Sequence, residues 1–353
     1  MAAILDQISI ATLAMHPDLN TKLLSRDSAL LRILQAKSSS MTGSPLKIKV
    51  RYKRNNGGWY AGFDTFNTAR VEQLAEGSVN WTNVYVNVTV DEDTLVTNAG
   101  MTIKDLLSVN SLKNLPKRDR VTLINIFGAE LEGAIDDKQQ LLNSAIYTGS
   151  SGNKQLTGLD GIIAGSTAHP GAYAGMAAAD LGTFDDGRRG FLSGTDGSAT
   201  KDNVWAAKTK TFSPTQSILL ENIADGLNDC NQGSSDGIDY VIMPLDIWSS
   251  LELQLEGQKT RPNESLSAIG FRTNIEWVSF GCTFVADPFC PAGTVYGINT
   301  NHLKLATHPG LQMEMSQFKE PTDQAAITAQ VKSKLQTWCD DRAKHVKIEG
   351  LTA

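Results

Sequence analysis

The chain has 353 residues, is 41% hydrophobic and 20% charged, and carries a formal net charge of -6. That length supports roughly two to three lobes with sizeable buried cores. The acidic balance argues against a protein whose main work is to grip a nucleic-acid backbone, because such binding needs clustered Lys and Arg to displace counterions. No apolar run reaches the roughly 20 residues of a membrane-spanning helix, and the first residues lack the basic start and apolar core of an export signal. Neither membrane insertion nor export is therefore expected.

From Ile4 to Lys37 the chain reads as a polar arm with short helices, in which Leu23, Leu24, Leu30, Leu31, Ile33 and Leu34 recur at mixed helical spacing. Lys22, Arg26, Arg32 and Lys37 could make a local basic track along it. Residues 38–45 end it with Ser, Gly and Pro.

Residues 46–53 alternate strictly between apolar and basic, Asn55, Asn56, Gly57 and Gly58 supply turn residues, and Trp59, Ala61 and Phe63 resume an alternation. This predicts a hairpin. Val84, Val86, Val88 and Val90 form a second extended run that is expected to pair back along the first strand. The excursion over 44–91 has too few apolar residues on its second face for a core of its own, so it needs another surface, most simply a neighbouring subunit. Lys47, Lys49, Arg51, Lys53 and Arg54 share one face of it, which reads as a solvated strand face.

Residues 116–147 carry the strongest helix signal, with Leu123, Phe127, Leu131, Ile135, Leu142 and Ile146 at helical steps. Pro116 suits the first turn and Gly149 the C-terminal cap. Such a helix is about 45 Å long. Residues 148–213 are rich in Gly, Ala, Ser and Asp and read as loops and short strands. A second lobe begins near Thr215, with a helix carrying Leu219, Ile223 and Leu227, a strand over 238–243, and a helix opened by Pro244. Short strands are expected over 275–280, 282–286, 294–298 and 303–306. Residues 324–339 then alternate as a long half-buried strand.

Chemistry-bearing patterns are sparse. His16, His169, His302, His308 and His345 are scattered without HExxH spacing, and Cys230, Cys282, Cys290 and Cys339 contain no CxxC pair. No metal site is expected, and reduced thiols fit a cytosolic setting. GxSxG, GxGxxG and Walker-type GKT motifs are missing, which removes the commonest motif-bearing hydrolases, dehydrogenases and nucleotidases. The acid pairs Asp136/Asp137 and Asp185/Asp186 read as solubilising surface, since sequence neighbours on a helix diverge by about 100°. No catalytic residue and no cofactor are assigned.

The order of these parts resembles the Hong Kong 97 fold of tailed-bacteriophage major capsid proteins, over nearly the whole chain. Local sequence carries the resemblance further. Ile146-Tyr147-Thr148-Gly149 followed by Gly158-Leu159-Asp160-Gly161-Ile162 is similar to the passage that leaves that family's long helix, and Tyr240-Val241-Ile242-Met243-Pro244 leads into a helix with Trp248. Val285-Ala286-Asp287-Pro288, then Pro291 to Asn299, resembles the strand-turn-strand pattern of its axial domain.

The resemblance implies an α+β fold with an N-terminal arm (1–43), an extended E-loop hairpin (44–91), a peripheral domain (92–214 and 308–353) with a spine helix (116–147), and an axial domain (215–307). It implies a non-enzymatic shell subunit that forms hexamers and pentamers around double-stranded DNA without reading its sequence. A scaffolding protein or portal is the implied partner, with assembly in the host cytoplasm and residence in the virion. Lys53, Arg54, Trp59, Tyr60, Phe63 and Phe66 are then intersubunit contacts, and Leu123, Phe127, Leu131 and Ile135 are the spine-helix core. Some members link subunits through a Lys–Asn isopeptide bond, and Lys47, Lys49 and Lys53 lie in the segment concerned, but no residue here singles out the Asn or the proton-accepting Glu. Two other readings are a cellular nanocompartment shell of the encapsulin type, against which the long Gly/Ala/Asp-rich stretch argues, and a carbohydrate-active or adhesive surface protein with exposed Trp59, Tyr60 and Trp81, against which the lack of an export signal counts.

Overall fold

The computed structural model describes residues 28–51, 59–66, 68–70, 74–108, 116–163, 173–176, 205, 208–211, 219–231, 236–254, 274–277, 281–321 and 324–351. The chain divides into two units. Thr82–Ser144 and Thr307–Leu335 make the first, and Ser28–Trp81, Ala145–Ala306 and Gln336–Ala353 make the second. The elements are α1 (Ala29–Ala36), β1 (Ser39–Ser40), β2 (Leu46–Arg51), β3 (Leu74–Val79), β4 (Thr82–Asp91), α2 (Glu92–Ala99), α3 (Ile103–Ser108), α4 (Lys117–Thr148) and α5 (Leu159–Ile162). They continue with β5 (Lys208–Thr211), α6 (Leu219–Asn231), β6 (Tyr240–Met243), α7 (Leu245–Gln254), β7 (Asn274–Trp277), β8 (Cys282–Ala286) and β9 (Thr294–Ile298). The chain closes with β10 (Leu303–Thr307), β11 (Glu314–Met315), β12 (Ala326–Cys339) and β13 (Val346–Glu349).

In the first unit the 32-residue helix α4 presents one apolar stripe, because Leu123, Phe127, Leu131, Ala134 and Ile135 fall at steps of three and four. Those side chains share one buried cluster with Val88 and Val90 of β4, Ile327, Ala329 and Val331 of β12, and Leu95, Ile103 and Leu106 of α2 and α3. The Phe127 and Phe318 rings lie 4.6 Å apart. Each fully buried side chain of this size contributes about 1.5–3 kcal/mol by leaving water. Asp136 and Asp137 stand on the exposed face of α4, while Asp185 and Asp186 lie outside the described residues.

The α4 residue between those faces, Lys138, is 6% exposed. Its Nζ donates to Ser333 Oγ at 2.6 Å and touches Met313 Sδ at 2.5 Å. Burial pulls its pKa down to about 8.

The strand pairing corrects one expectation. β4 does not pair back along β2: it lies antiparallel to β12, from Asp91 opposite Ala326 to Thr82 opposite Leu335. The hairpin partner of β2 is β3, from Leu46 opposite Val79 to Arg51 opposite Leu74. The physical reason is length and pattern. β12 offers a ten-residue alternating ladder that buries Val88 and Val90, while the β3 sequence, Leu-Ala-Glu-Gly-Ser-Val, shows little alternation of its own.

In the second unit six strands lie in the order β5-β13-β9-β6-β8-β7. β6 runs parallel to β8 and β13 parallel to β5, and the remaining neighbours are antiparallel. Leu219, Ile223 and Leu227 of α6 and Ile247, Trp248 and Leu251 of α7 form one core with Val241, Phe284, Val295, Val346 and Ile348. Gly297 permits that closeness, since a Cβ there would meet Val346 Cγ1 at 2.6 Å. β10 pairs with β1 on one side and with β12 on the other.

A short helix expected within residues 4–37 is α1, and it is built into the second unit, with Leu30, Leu31, Ile33 and Leu34 buried. The part of that segment before Ser28 lies outside the described residues. The anchor of α1 is Asp287, a fully buried carboxylate. Asp287 Oδ2 accepts from Ser28 Oγ at 2.5 Å, from the Leu30 N–H at 3.1 Å and from the Tyr147 hydroxyl at 2.6 Å, and its Oδ1 accepts from the Phe289 N–H. Burial, with the adjacent Asp287 charge, holds the Tyr147 phenol well above its ordinary pKa.

β5 is one of the short strands expected within 148–213, while α2, α3 and β13 have no counterpart in the sequence reading. All three are short, at four to eight residues.

Candidate functional site

The site is the hairpin of β2 and β3 with the segment that joins them. Alternation splits β2 cleanly: Leu46, Ile48 and Val50 are buried, and Lys47, Lys49 and Arg51 are exposed. Opposite them, Val79 and Gly77 face inward and Glu76 outward. Lys47 Nζ lies 2.5 Å from Glu76 Oε1, and that contact holds the Glu76 carboxyl below its ordinary pKa. Both groups are exposed, so the pair positions the strands more than it stabilises them.

The expectation that the hairpin finds no cover within its own chain holds for only part of it. Its base rests on residues 173–176. Ser78 N–H donates to Ala174 C=O at 2.9 Å, and a Cβ at Gly77 would sit 2.7 Å from that oxygen and 2.5 Å from Met176 Cε. Only glycine allows the approach.

The supporting turn is itself pinned from below. Trp205 Nε1 donates to Met176 C=O at 3.2 Å, and the Tyr173 and Trp205 rings stack at 6.1 Å. The buried Arg342 guanidinium lies 5.9 Å from both ring centroids, and its Nε donates to Ile162 C=O at 2.6 Å. Burial lowers the Arg342 pKa to about 10, which leaves it charged at neutral pH.

Among the described residues, 59–66 of the connection have no such cover. Trp59 is 104%, Tyr60 67%, Phe63 107% and Phe66 67% exposed. Tyr60 and Phe66 meet edge to face at 5.2 Å. Ala61 N–H donates to Asp64 Oδ2 at 2.8 Å, and Asp64 N–H returns to Ala61 C=O at 3.3 Å, a tight turn eased by Gly62 at φ 53°. The turn therefore displays its aromatics in a defined shape. Lys53 and Arg54 lie outside the described residues.

Beside the hairpin base is an open groove of 580 Å³, lined by Met41, Gly43, Pro45, Leu46, Lys47 and Trp338 among others. Trp81 Nε1 donates to Gly43 C=O at 2.6 Å.

Two of the scattered histidines have specific surroundings. His302 lies between Asp340, 2.7 Å from Nδ1, and Asp236, 2.5 Å from Nε2. The hydrogen bond to Asp340, opposed by burial and helped by Asp236, raises its pKa to about 9. His345 is fully buried, and its Nδ1 accepts the Asn299 N–H at 3.2 Å. Burial lowers its pKa to about 4. Nothing in the local sequence marks either, because the partners come from 38 to 66 residues away.

Cys230, Cys282, Cys290 and Cys339 are buried free thiols. Among the described residues no group of three or more His, Cys, Asp or Glu is arranged to hold a metal, and no helix is long and apolar enough to cross a membrane. Arg32 of the basic track is half-buried, Lys37 binds Thr300 Oγ1, and Lys22 and Arg26 lie outside the described residues.

No family model and no curated protein matches the chain. Solved structures do. The chain is similar to the capsid asymmetric unit of cyanophage A-1(L), at 14% identity, with 92% of each chain covered and a TM-score of 0.62. It is also similar to the capsid of a native GTA particle, at 9% identity, with 91% of each chain covered and a TM-score of 0.53. At these identities the likeness shows the fold, and it is the α+β, Hong Kong 97-like fold that the order of elements implied.

Proposed function

We propose that this chain, with its Hong Kong 97-like fold, is the major capsid protein of a tailed bacteriophage, a shell subunit and not an enzyme. One observation carries the reading: an anchored hairpin presents Trp59, Tyr60, Phe63 and Phe66 to solvent. Four exposed aromatics within one short segment mark a protein–protein contact. On this reading residues 44–91 act as the E-loop, with Lys53 and Arg54 joining the four aromatics at the contact. Residues 116–147 act as the spine helix of a peripheral domain (92–214 and 308–353), and 215–307 as the axial domain.

Subunits gather into hexamers and pentamers, with a scaffolding protein or portal as partner. They enclose double-stranded DNA in the virion after assembly in the host cytoplasm. The net charge of -6 suits a lining that must release its DNA, since tight backbone binding needs many Lys or Arg on phosphates.

The full chain, purified and concentrated, is the test. Electron microscopy and sedimentation velocity are expected to show closed particles of uniform size, with duplex DNA bound weakly at physiological salt. A chain that stays monomeric at every concentration, or that binds one DNA sequence at sub-micromolar affinity, overturns the reading.

A further inference from the structure

Strand β4 has two edges, and β12 uses one of them. Glu92 N–H donates to Ala325 C=O, and the register runs without a bulge from Asp91 opposite Ala326 to Thr82 opposite Leu335. In an antiparallel ladder alternate residues turn their backbone groups to the same neighbour, so Val84, Val86, Val88 and Val90 face β12. The other side of β12 agrees, since Thr328 and Lys334 send their N–H groups away from β4, to Lys319 and Leu311 C=O. Asn83, Tyr85, Asn87 and Thr89 therefore point their N–H and C=O outward, and among the described residues no strand and no backbone group meets them.

We propose that this outer edge pairs with the same edge of a second copy of this chain, antiparallel, about a two-fold axis at Tyr85. The inference stands on the strand alone and does not need the capsid reading. Within that reading it supplies a contact that joins one ring of subunits to the next.

The first argument is that the edge is unprotected. Sheet edges that avoid pairing are short, or carry Lys, Pro or a bulge. Residues 82–90 read Thr-Asn-Val-Tyr-Val-Asn-Val-Thr-Val, with no charge, no proline and no glycine, and with the β-branched residues that favour extended pairing. β2, by contrast, carries Lys47, Lys49 and Arg51 along its length.

Symmetry is the second argument. Residues 83–87 read Asn-Val-Tyr-Val-Asn, the same in both directions. Pairing about Tyr85 sets Asn83 opposite Asn87 of the second copy, Val84 opposite Val86, and Tyr85 opposite Tyr85. Asn83, Tyr85 and Asn87 carry the outward groups, so each of these pairs exchanges two backbone hydrogen bonds, and the amide side chains meet across the strands on the same face.

Burial agrees. On the inner face Val88 and Val90 are fully buried, whereas Val84 and Val86 are half-buried. The half-covered valines are the two that the pairing sets opposite each other, so a second copy finishes their burial. On the outer face Tyr85 is 62% exposed and meets its counterpart at the axis. A contact that uses one surface twice is isologous and stops at a pair.

Disulfide trapping in the full chain, concentrated or assembled, tests the axis. Tyr85→Cys sets two thiols across a hydrogen-bonded pair with Cα atoms about 5.5 Å apart, within the span of a disulfide. Thr89→Cys on the same edge is the control, since the pairing holds its two copies roughly 27 Å apart at about 3.4 Å per residue. The four native thiols are buried. With copper phenanthroline as oxidant, Tyr85→Cys is expected to give a covalent pair on a non-reducing gel and Thr89→Cys to give none. An equal or greater yield from Thr89→Cys, or no pair from Tyr85→Cys in particles that assemble, overturns the pairing and leaves the capsid reading standing. A parent chain that stays monomeric at every concentration overturns both.

A second experiment reads charge across the axis. Asn83→Lys with Asn87→Lys sets lysine opposite lysine twice, and is expected to raise the concentration needed for association about tenfold. Asn83→Glu with Asn87→Lys sets glutamate opposite lysine twice, and is expected to associate at or below the concentration of the parent. Both positions are exposed, and circular dichroism checks the fold. Two variants that associate alike overturn the pairing, because only opposition across the axis separates them. If a cysteine variant misfolds, the charged pair still decides.

Discussion

In the cluster under α4, Phe127 is fully buried, with the Phe318 ring 4.6 Å away. At the end of the hairpin, Phe63 carries the same side chain into open solvent. Hydrophobicity is identical in the two places, so the residue type cannot explain the difference in role. What separates them is cover: α4 lies over a sheet built by β4 and β12, whereas among the described residues nothing covers 59–66 as the turn at 173–176 covers the hairpin base. Lysine repeats the contrast. Lys138 is buried against Ser333 with a pKa near 8, and Lys47 is a solvated partner of Glu76.

The strongest test of the contrast is truncation of the buried ring. Phe127→Ala is expected to cost about 3–5 kcal/mol, as large-to-small changes in full cores do. Denaturant unfolding of the subunit reads it, and unchanged stability would place Phe127 outside the core.

Histidine offers a sharper version, since one is buried and the other clamped between acids. His345 has a folded pKa of about 4, lowered from 6.5 by burial. A lowered histidine binds fewer protons folded than unfolded. Its contribution is complete above pH 6.5 and is lost as pH falls toward 4, by about 3 kcal/mol at most. His345→Gln keeps an acceptor for the Asn299 N–H and should remove that acid limb, read as the denaturation midpoint from pH 7 to pH 4.

His302 runs the other way. Its folded pKa of about 9 lies above 6.5, so the clamp to Asp340 and Asp236 stabilises fully below pH 6.5 and is lost as pH rises through 9. It is partly open to solvent, and after screening the effect is about 1 kcal/mol or less. His302→Gln should flatten the alkaline limb and leave the acid limb in place. A flat profile in the parent between pH 6.5 and 9.5 counts against the clamp.

The smallest effect on the fold belongs to the turn. Phe63→Ala should change subunit stability by no more than about 0.5 kcal/mol, as exposed substitutions do, while weakening self-association in a sedimentation titration. A large loss of stability would mean that Phe63 has a cover within its own chain.

Much of the architecture follows from pattern alone. Leu123, Phe127, Leu131 and Ile135 recur at steps only a helix aligns, and Ile327, Ala329, Val331 and Leu335 at steps only a strand aligns, so α4 and β12 are local facts. The exposed segment was legible only in part: Trp59, Ala61 and Phe63 read as a resumed strand alternation, whereas 59–66 form a turn with no strand, and the hairpin's second strand is β3. Pairing was not legible. Whether β4 joins β2 or β12 depends on long-range ladder energies, and both choices satisfy the same alternation. The packing of Gly77 against Ala174, the four bonds gathered by Asp287 and the opposite shifts of His302 and His345 come from residues tens to hundreds of positions apart. A sequence states which side chains exist and which face of an element they share. Burial, which sets the pKa of a histidine or the role of a phenylalanine, is a property of what the distant chain lays on top, and only the tertiary structure decides it.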